Sequence, residues 1–269
     1  MSLDQIALNR PIRVVMFGSG PELNRDAKQF LCRLEEHPEI EFLGAYCQAQ
    51  SRSWRAVFVD LLKRRGWLAF PLFVVWVIGK AIRFLLHPRE EIALQRSLQK
   101  TSDRIHFVPD IHARNVLEQV CALNPDLGLI YGSPILKPEL FEIPSLGTLG
   151  IHHGKVPEYR GNKTTFWAMY NGERVAGVTI QKVNKGLDTG SIIKTGEVST
   201  QGRAYPAVVH ELEKLGLDLY MQAILEVKKG TAEEKPQSGA RGKLYRNPKP
   251  ADFLKFWGRQ IRRRAGITK

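Results

Sequence analysis

Two hydrophobic periods alternate along this chain. Residues 12–17 form an apolar run broken only by Arg13, and Gly18, Ser19 and Gly20 follow. That is the pattern of a buried strand turning sharply into a helix over 21–36. Further apolar runs predict strands at 41–47, 105–108, 126–131, 148–152, 175–183 and 191–198. Helical stretches are expected at 111–123, where Asn124 and Pro125 stop the helix, at 164–170 and at 204–228. Strands alternating with helices predict an α/β, Rossmann-like fold, a mostly parallel sheet with helices on both faces. Ligands of such sheets gather at the carboxyl ends of the strands, which directs attention to Tyr131, Gly132 and Ser133 and to the loop after residue 152. The Gly-Ser-Gly turn lacks the spaced G-x-G-x-x-G fingerprint, so it is a weak signal for nucleotide binding.

One stretch does not fit this alternation. Residues 52–89 form an apolar, basic insertion between the second and third strands, and no charge occurs from 66 to 79. That run is shorter than the roughly 20 residues needed to span a bilayer. Trp67, Phe70, Phe73 and Trp76 are flanked by Lys63, Arg64, Arg65, Lys80 and Arg83. This arrangement suits a helical segment of 66–86 lying in the headgroup layer of an anionic membrane. Packing on the domain, a dimer contact and a true span are the other readings.

Charge sharpens the picture. The net charge is +13, and residues 52–89 carry +7 while 241–269 carry +9, which leaves −3 for the remainder. A near-neutral catalytic domain of 1–230 is therefore expected to bear a basic insertion and a basic C-terminal tail of 231–269, features suited to an anionic membrane or to nucleic acid. Cys32, Cys47 and Cys121 are odd in number and widely spaced, so neither a disulfide framework nor a metal site is expected. The first residues, MSLDQIALNRPIRVV, lack an apolar signal core, and a cytoplasmic protein, peripheral on the inner face of the membrane, is the expectation.

Chemistry concentrates between 147 and 190. His152 closes a predicted strand beside a loop rich in glycine and proline, where an imidazole can act as acid, base or donor near neutral pH. Asp188 lies between Gly186 and Gly190 in a turn between two strands, and a carboxylate there can face the histidine, orient its ring or relay a proton. Several linked motifs follow in order: His152, Pro157, Tyr159, Arg160 and Gly161, then Trp167, Ala168, Asn171, Gly172 and Glu173, then Gly-Val-Thr-Ile at 177–180 and Gly-Leu-Asp-Thr-Gly at 186–190. This run resembles the formyltetrahydrofolate-dependent formyltransferases, the family of methionyl-tRNA, phosphoribosylglycinamide and sugar N-formyltransferases.

The resemblance implies formyl transfer from 10-formyltetrahydrofolate to a primary amine of a small-molecule or lipid-linked acceptor. It places the folate ring against Pro134, Ile135 and Leu136 and against Val183, Asn184, Leu187 and Asp188, with the amine approaching His152 from the other side. His152 would stabilise negative charge on the formyl oxygen, and Asp188 would hold His152 and move protons through water. The family has an asparagine two residues before the histidine, and here that position is Gly150. Asn162 and Lys163 are the candidates to replace the missing donor. Two alternatives stand beside this reading. One is tRNA formylation, although residues 231–269 are few for a separate tRNA-binding domain. The other is a folate-binding or membrane-associated accessory protein without catalysis.

Overall fold

The computed structural model describes residues 9–20, 23, 25–49, 74, 78, 88–237 and 242–264. Apart from 74, 78, 88 and 89, the basic insertion lies outside the described residues. Among those described, no helix is long and apolar enough to cross a membrane.

The predicted alternation forms one seven-stranded sheet with spatial order β3-β2-β1-β4-β5-β7-β8. Its strands are β1 (Ile12–Ser19), β2 (Ile40–Gln48), β3 (Ile105–Val108), β4 (Leu127–Ile130), β5 (Thr148–His152), β7 (Val175–Lys182) and β8 (Ile192–Ser199). The first five are mutually parallel, and β7 runs antiparallel to both β5 and β8. The chain builds outward from β1 in one direction through β2 and β3, then returns to add β4 and β5 on the other side. That reversal opens a crevice at the carboxyl ends of the strands around β1 and β4.

Helices cover both faces, as parallel strands buried on two sides require. On one face lie α1 (Arg25–Glu36) and the long α6 (Tyr205–Lys229). Helix α1 turns Ala27, Phe30, Leu31 and Leu34 inward at helical spacing. Helix α6 contributes Leu217, Tyr220, Ala223, Ile224 and Val227 to the same core. The other face is closed by α3 (Arg114–Ala122) and the short α4 (Pro138–Phe141), which pack Val116, Val120, Leu140 and Phe141 against Val15, Phe17 and Tyr46. Helix α2 (Pro88–Thr101) follows the insertion and leads into β3.

Tyr220 is fully buried, and its hydroxyl joins the two central strands near the site. It donates to Leu149 O at 2.7 Å and accepts from Ile130 N at 2.9 Å. Burial raises the Tyr220 pKa, so the phenol stays protonated and keeps both bonds.

The basic segment beyond residue 230 folds back onto the body. Strand β9 (Lys243–Tyr245) pairs in parallel with the short β6 (Tyr159–Gly161), and α7 (Pro250–Arg264) follows. Phe256 of α7 is buried in a third core with Phe166, Met169, Val208 and Leu212. Phe166 and Met169 come from α5 (Thr164–Asn171), which ends at Gly172 with φ +85°. Phe253, Phe256, Trp257 and Ile261 thus lie on one helix, a face of which completes a core.

Candidate active site

His152 is the last residue of β5, its side chain buried, and its position follows from the strand's apolar run ending at the sheet's carboxyl edge. The next residues turn back over it, so that Tyr159 O lies 2.7 Å from His152 Nε2. Gly154 makes this approach possible. A Cβ at that position would stand 2.4 Å from both His152 Nε2 and Tyr159 O.

Asp188 arrives from the opposite direction. Val183 N donates to Thr148 O at 2.7 Å, so the β7–β8 turn leaves the sheet beside the amino end of β5 and then folds back along it. Asp188 Oδ1 comes to 3.5 Å from His152 Nδ1. The carboxylate is aimed by Gly161 N, which donates to Oδ2 at 2.8 Å, and by Gln181 Nε2, 3.3 Å from Oδ1. Asp188 adopts φ +51°, a left-handed conformation that Asp and Asn tolerate better than most side chains. The turn is fastened from two sides. Arg160 donates to Leu187 O from Nε and from a terminal nitrogen, at 3.1 and 2.6 Å. Gln237 Nε2 reaches Asp188 O at 3.1 Å and Gly190 O at 2.9 Å.

The environment sets the protonation of His152. Burial pushes its pKa below the ordinary histidine value, and the Asp188 carboxylate and the Tyr159 carbonyl push it part of the way back. A neutral ring that donates Nε2–H to Tyr159 O presents the lone pair of Nδ1 beside Asp188. Such a nitrogen is a proton acceptor, and protonation there creates a cation flanked by a carboxylate and a carbonyl.

Two cavities meet at this histidine and share Gly132, Ile151, His152, Gly161 and Asn162 as their common wall. The first, about 260 Å³, is lined by Pro134, Ile135, Leu136, Val183, Asn184 and Leu187 and ends at Asp188. All the folate-contacting residues expected from the sequence therefore lie around one space. Its apolar side chains can cover the faces of a flat ring, and the 184–190 turn supplies main-chain groups for a polar edge. The second cavity, about 400 Å³, is lined by Tyr131, His153, Lys163, Thr164, Tyr205, Glu213 and Asn247, among others.

Asn162 stands on the shared wall, whereas Lys163 borders the second cavity alone. Lys163 is held at φ +54°, which costs a side-chain-bearing residue about 1 kcal/mol. Gly150 borders the first cavity, and a Cβ there would meet only Val183 Cγ2 at 3.5 Å and Ile130 Cβ at 3.8 Å, ordinary contact distances. Lys155 turns away from the site and pairs with Glu197 at 3.0 Å.

Sequence reasoning missed the polar floor of the second cavity. Glu213 Oε2 accepts from the Tyr131 hydroxyl at 2.9 Å and lies 3.0 Å from His153 Nε2. Burial pushes the Glu213 pKa up, but the contacts with His153 and Tyr131 outweigh it and hold the carboxyl below its usual value. An ionised carboxylate in this cavity attracts a cationic amine and repels an anionic group. Glu213 sits within an amphipathic helix, where a single glutamate reads as a solvated position, and Gln237 gave no signal either. Both act only through tertiary contact.

A family model described as formyl transferase matches residues 88–223. Among relatives, a methionyl-tRNA formyltransferase of Thermodesulfovibrio yellowstonii is 35% identical over 128 residues, 46% of this chain and 41% of that protein. Another, of Methylacidiphilum infernorum, is 29% identical over 176 residues, 63% of this chain and 55% of that one. The chain thus spans about half the length of these relatives. A sugar N-formyltransferase from a Shewanella species shares the fold with a TM-score of 0.57 at 14% identity, over 91% of this chain and 86% of that one. A phosphoribosylglycinamide formyltransferase from Bacillus halodurans shares it with a TM-score of 0.53 at 16% identity, over 81% and 93%.

Proposed function

The chain belongs to the formyl transferase family, and from that premise we propose that it transfers a formyl group from 10-formyltetrahydrofolate to a primary amine of a small-molecule or lipid-linked acceptor. The observation that carries this reading is the pair of cavities meeting at His152, one suited to a flat heterocycle and the other bearing an ionised carboxylate. Pro134, Ile135, Leu136, Val183, Asn184 and Leu187 would hold the folate, and Glu213 would draw in a cationic amine, which must release one proton to solvent before its neutral form attacks. The bound cofactor supplies the formyl carbon as an electrophile.

The chain's own groups manage the protons and the charge. His152 begins neutral because it is buried, and Nδ1 takes the proton that the amine nitrogen sheds as its bond to carbon forms. The resulting imidazolium is stabilised by Asp188 and by Tyr159 O, and its charge offsets the negative charge on the formyl oxygen. Protonated Nδ1 would then hold that proton where the departing nitrogen of a bound folate could take it. His152 is thus a base first and an electrostatic stabiliser second, with Asp188 as the group that makes both roles possible.

Calorimetric titration with the non-hydrolysable analogue 5,10-dideazatetrahydrofolate tests the reading directly. Micromolar binding is expected, weakened about tenfold or more in Ile135→Arg, which sets a charge on an apolar wall. Ile135 is 74% exposed, so this change leaves the core alone. No binding to the folded wild type would remove the cofactor and favour the accessory-protein alternative.

Asn162 is assigned as the donor that replaces the asparagine absent at Gly150. In Asn162→Ala, kcat is expected to fall about 100-fold with little change in folate affinity, in the range for loss of one oxyanion donor. Adding Gly150→Asn is expected to restore much of the loss, because the space at that position admits a side chain. Equal losses in kcat and in folate affinity, with no rescue, would count against the role.

A second reading, tRNA formylation, draws support from the names of the relatives and from the net charge of +13. Tight, salt-dependent binding of initiator tRNA would favour it over a small acceptor.

A further inference from the structure

Helix α7 is fixed to the body by one side only. Phe256, 1% exposed, packs 5.0 Å from Phe166 between ring centroids, and Phe253 rests 4.8 Å from the same ring. Arg259 donates to Tyr170 O at 3.1 Å and stacks over the Tyr170 ring.

On another side Leu254, Trp257 and Ile261 are 75%, 43% and 66% exposed. Their spacing of three and four residues places them within an arc of about 60° at 100° per residue. Lys255 and Arg259 occupy a different arc of the same helix. The helix sequence continues with Arg262, Arg263 and Arg264, and Asp252 is its sole acid.

An apolar stripe of this size left in water forgoes the favourable burial of three large side chains. What covers it must offer both an apolar layer and negative charge. Nucleic acid would engage the arginines but gain nothing from Leu254 and Ile261. A second copy of α7 would set basic residues against basic residues. Acyl chains beneath anionic headgroups satisfy both demands at once.

We propose that α7 seats the protein on an anionic lipid surface, with Leu254, Trp257 and Ile261 entering the acyl boundary and Lys255 and the basic end of the helix sequence supplying positive charge for the lipid phosphates. Asn247, three residues before α7, lines the second cavity. Docking would therefore bring that cavity close to the lipid, within reach of an amine carried on a lipid-linked acceptor. The docking itself does not depend on the formyl-transfer reading.

The full-length protein is sedimented with vesicles of phosphatidylcholine, either pure or containing roughly one third phosphatidylglycerol, at low and high salt. Binding to the anionic vesicles is expected, weak on pure phosphatidylcholine and reduced by salt. Leu254→Glu with Ile261→Glu is expected to lower vesicle affinity at least about tenfold, with an unchanged thermal melt because both side chains are exposed. Leu254→Ser with Ile261→Ser, which adds no charge, is expected to lower it by a smaller factor. Absence of wild-type binding overturns the proposal. So does undiminished binding by the glutamate double variant, which would place the contact elsewhere, as in residues 52–89. Salt-sensitive tRNA binding without vesicle binding would assign α7 to nucleic acid. A smaller solution mass in the glutamate variant, again without vesicle binding, would assign it to a second copy.

Discussion

His152→Ala is expected to lower formyl transfer about 10³-fold or more while leaving affinity for a folate analogue within a few-fold, because it removes a proton acceptor and a developing cation together. The imidazole lies 2.7 Å from Tyr159 O and 3.5 Å from Asp188, the contacts that both proposed roles require. Asp188→Asn is the companion variant. Asp188 raises the His152 pKa against the lowering effect of burial, so its removal leaves burial unopposed by that charge. Wild-type activity is expected to fall on the acid side below about pH 6.5, the ordinary histidine value. In Asp188→Asn the acid limb is expected at still lower pH and the plateau itself reduced. Loss of activity on the alkaline side instead, moving to lower pH in Asp188→Asn, would mean that His152 acts as a cation from the start. The stability contribution has the same sign. Native His152 binds its proton less readily than the unfolded chain does, so its contribution is complete above about pH 6.5 and is lost as pH falls through and below that value.

Gly190→Ala is expected to destabilise the protein by at least about 3 kcal/mol and to lower Tm by roughly 6–12 °C for a chain of this size. A Cβ at Gly190 would stand 1.5 Å from Lys182 O, a separation no rotamer change can relieve, because Cβ and the opposing oxygen both belong to fixed backbone geometry. The β7–β8 turn must open, and with it go the bonds from Gln237 to Asp188 O and Gly190 O. Asp188 is carried on that turn, so folate affinity and transfer are expected to fall together, unlike the selective loss in His152→Ala. Thermal unfolding followed by circular dichroism measures the first effect, and calorimetry with the folate analogue measures the second. An unaltered melt would show that the turn can open at Gly190 without loss of packing.

Much of the architecture was legible because one physical signal is local. Apolar runs of strand length at 12–17, 105–108, 148–152, 175–183 and 191–198 became β1, β3, β5, β7 and β8 with small shifts at their ends. The helix from 204 to 228 appears as α6, with Pro206 in its first turn and Gly230, at φ +66°, at its end. Strand β9 and the pairing of β6 were not legible. Three residues carry no period, and a parallel partner some eighty positions away leaves no trace in either segment. Helix α2 escaped for a related reason, because polar and charged residues dominate its sequence.

The candidate site divides along the same line. His152 and Asp188 could be named from a strand end, a turn and linked motifs, and the residues around the first cavity only from the family resemblance that those motifs carry. Tyr131 could be named only from its place at a strand's carboxyl end, and Glu213 and Gln237 not at all, because each gains its role from a neighbour distant in sequence. By itself the sequence determined the order of the elements, the histidine at a strand end and the turn that carries Asp188, all consequences of short-range pattern and backbone chemistry. Only the tertiary structure decided which oxygen faces each ring nitrogen of His152, that Asn162 stands between two cavities and that the basic C-terminal helix buries Phe256 while leaving Leu254 and Ile261 in solvent. Those outcomes depend on how burial and packing bring remote segments together, and no local period encodes such contacts.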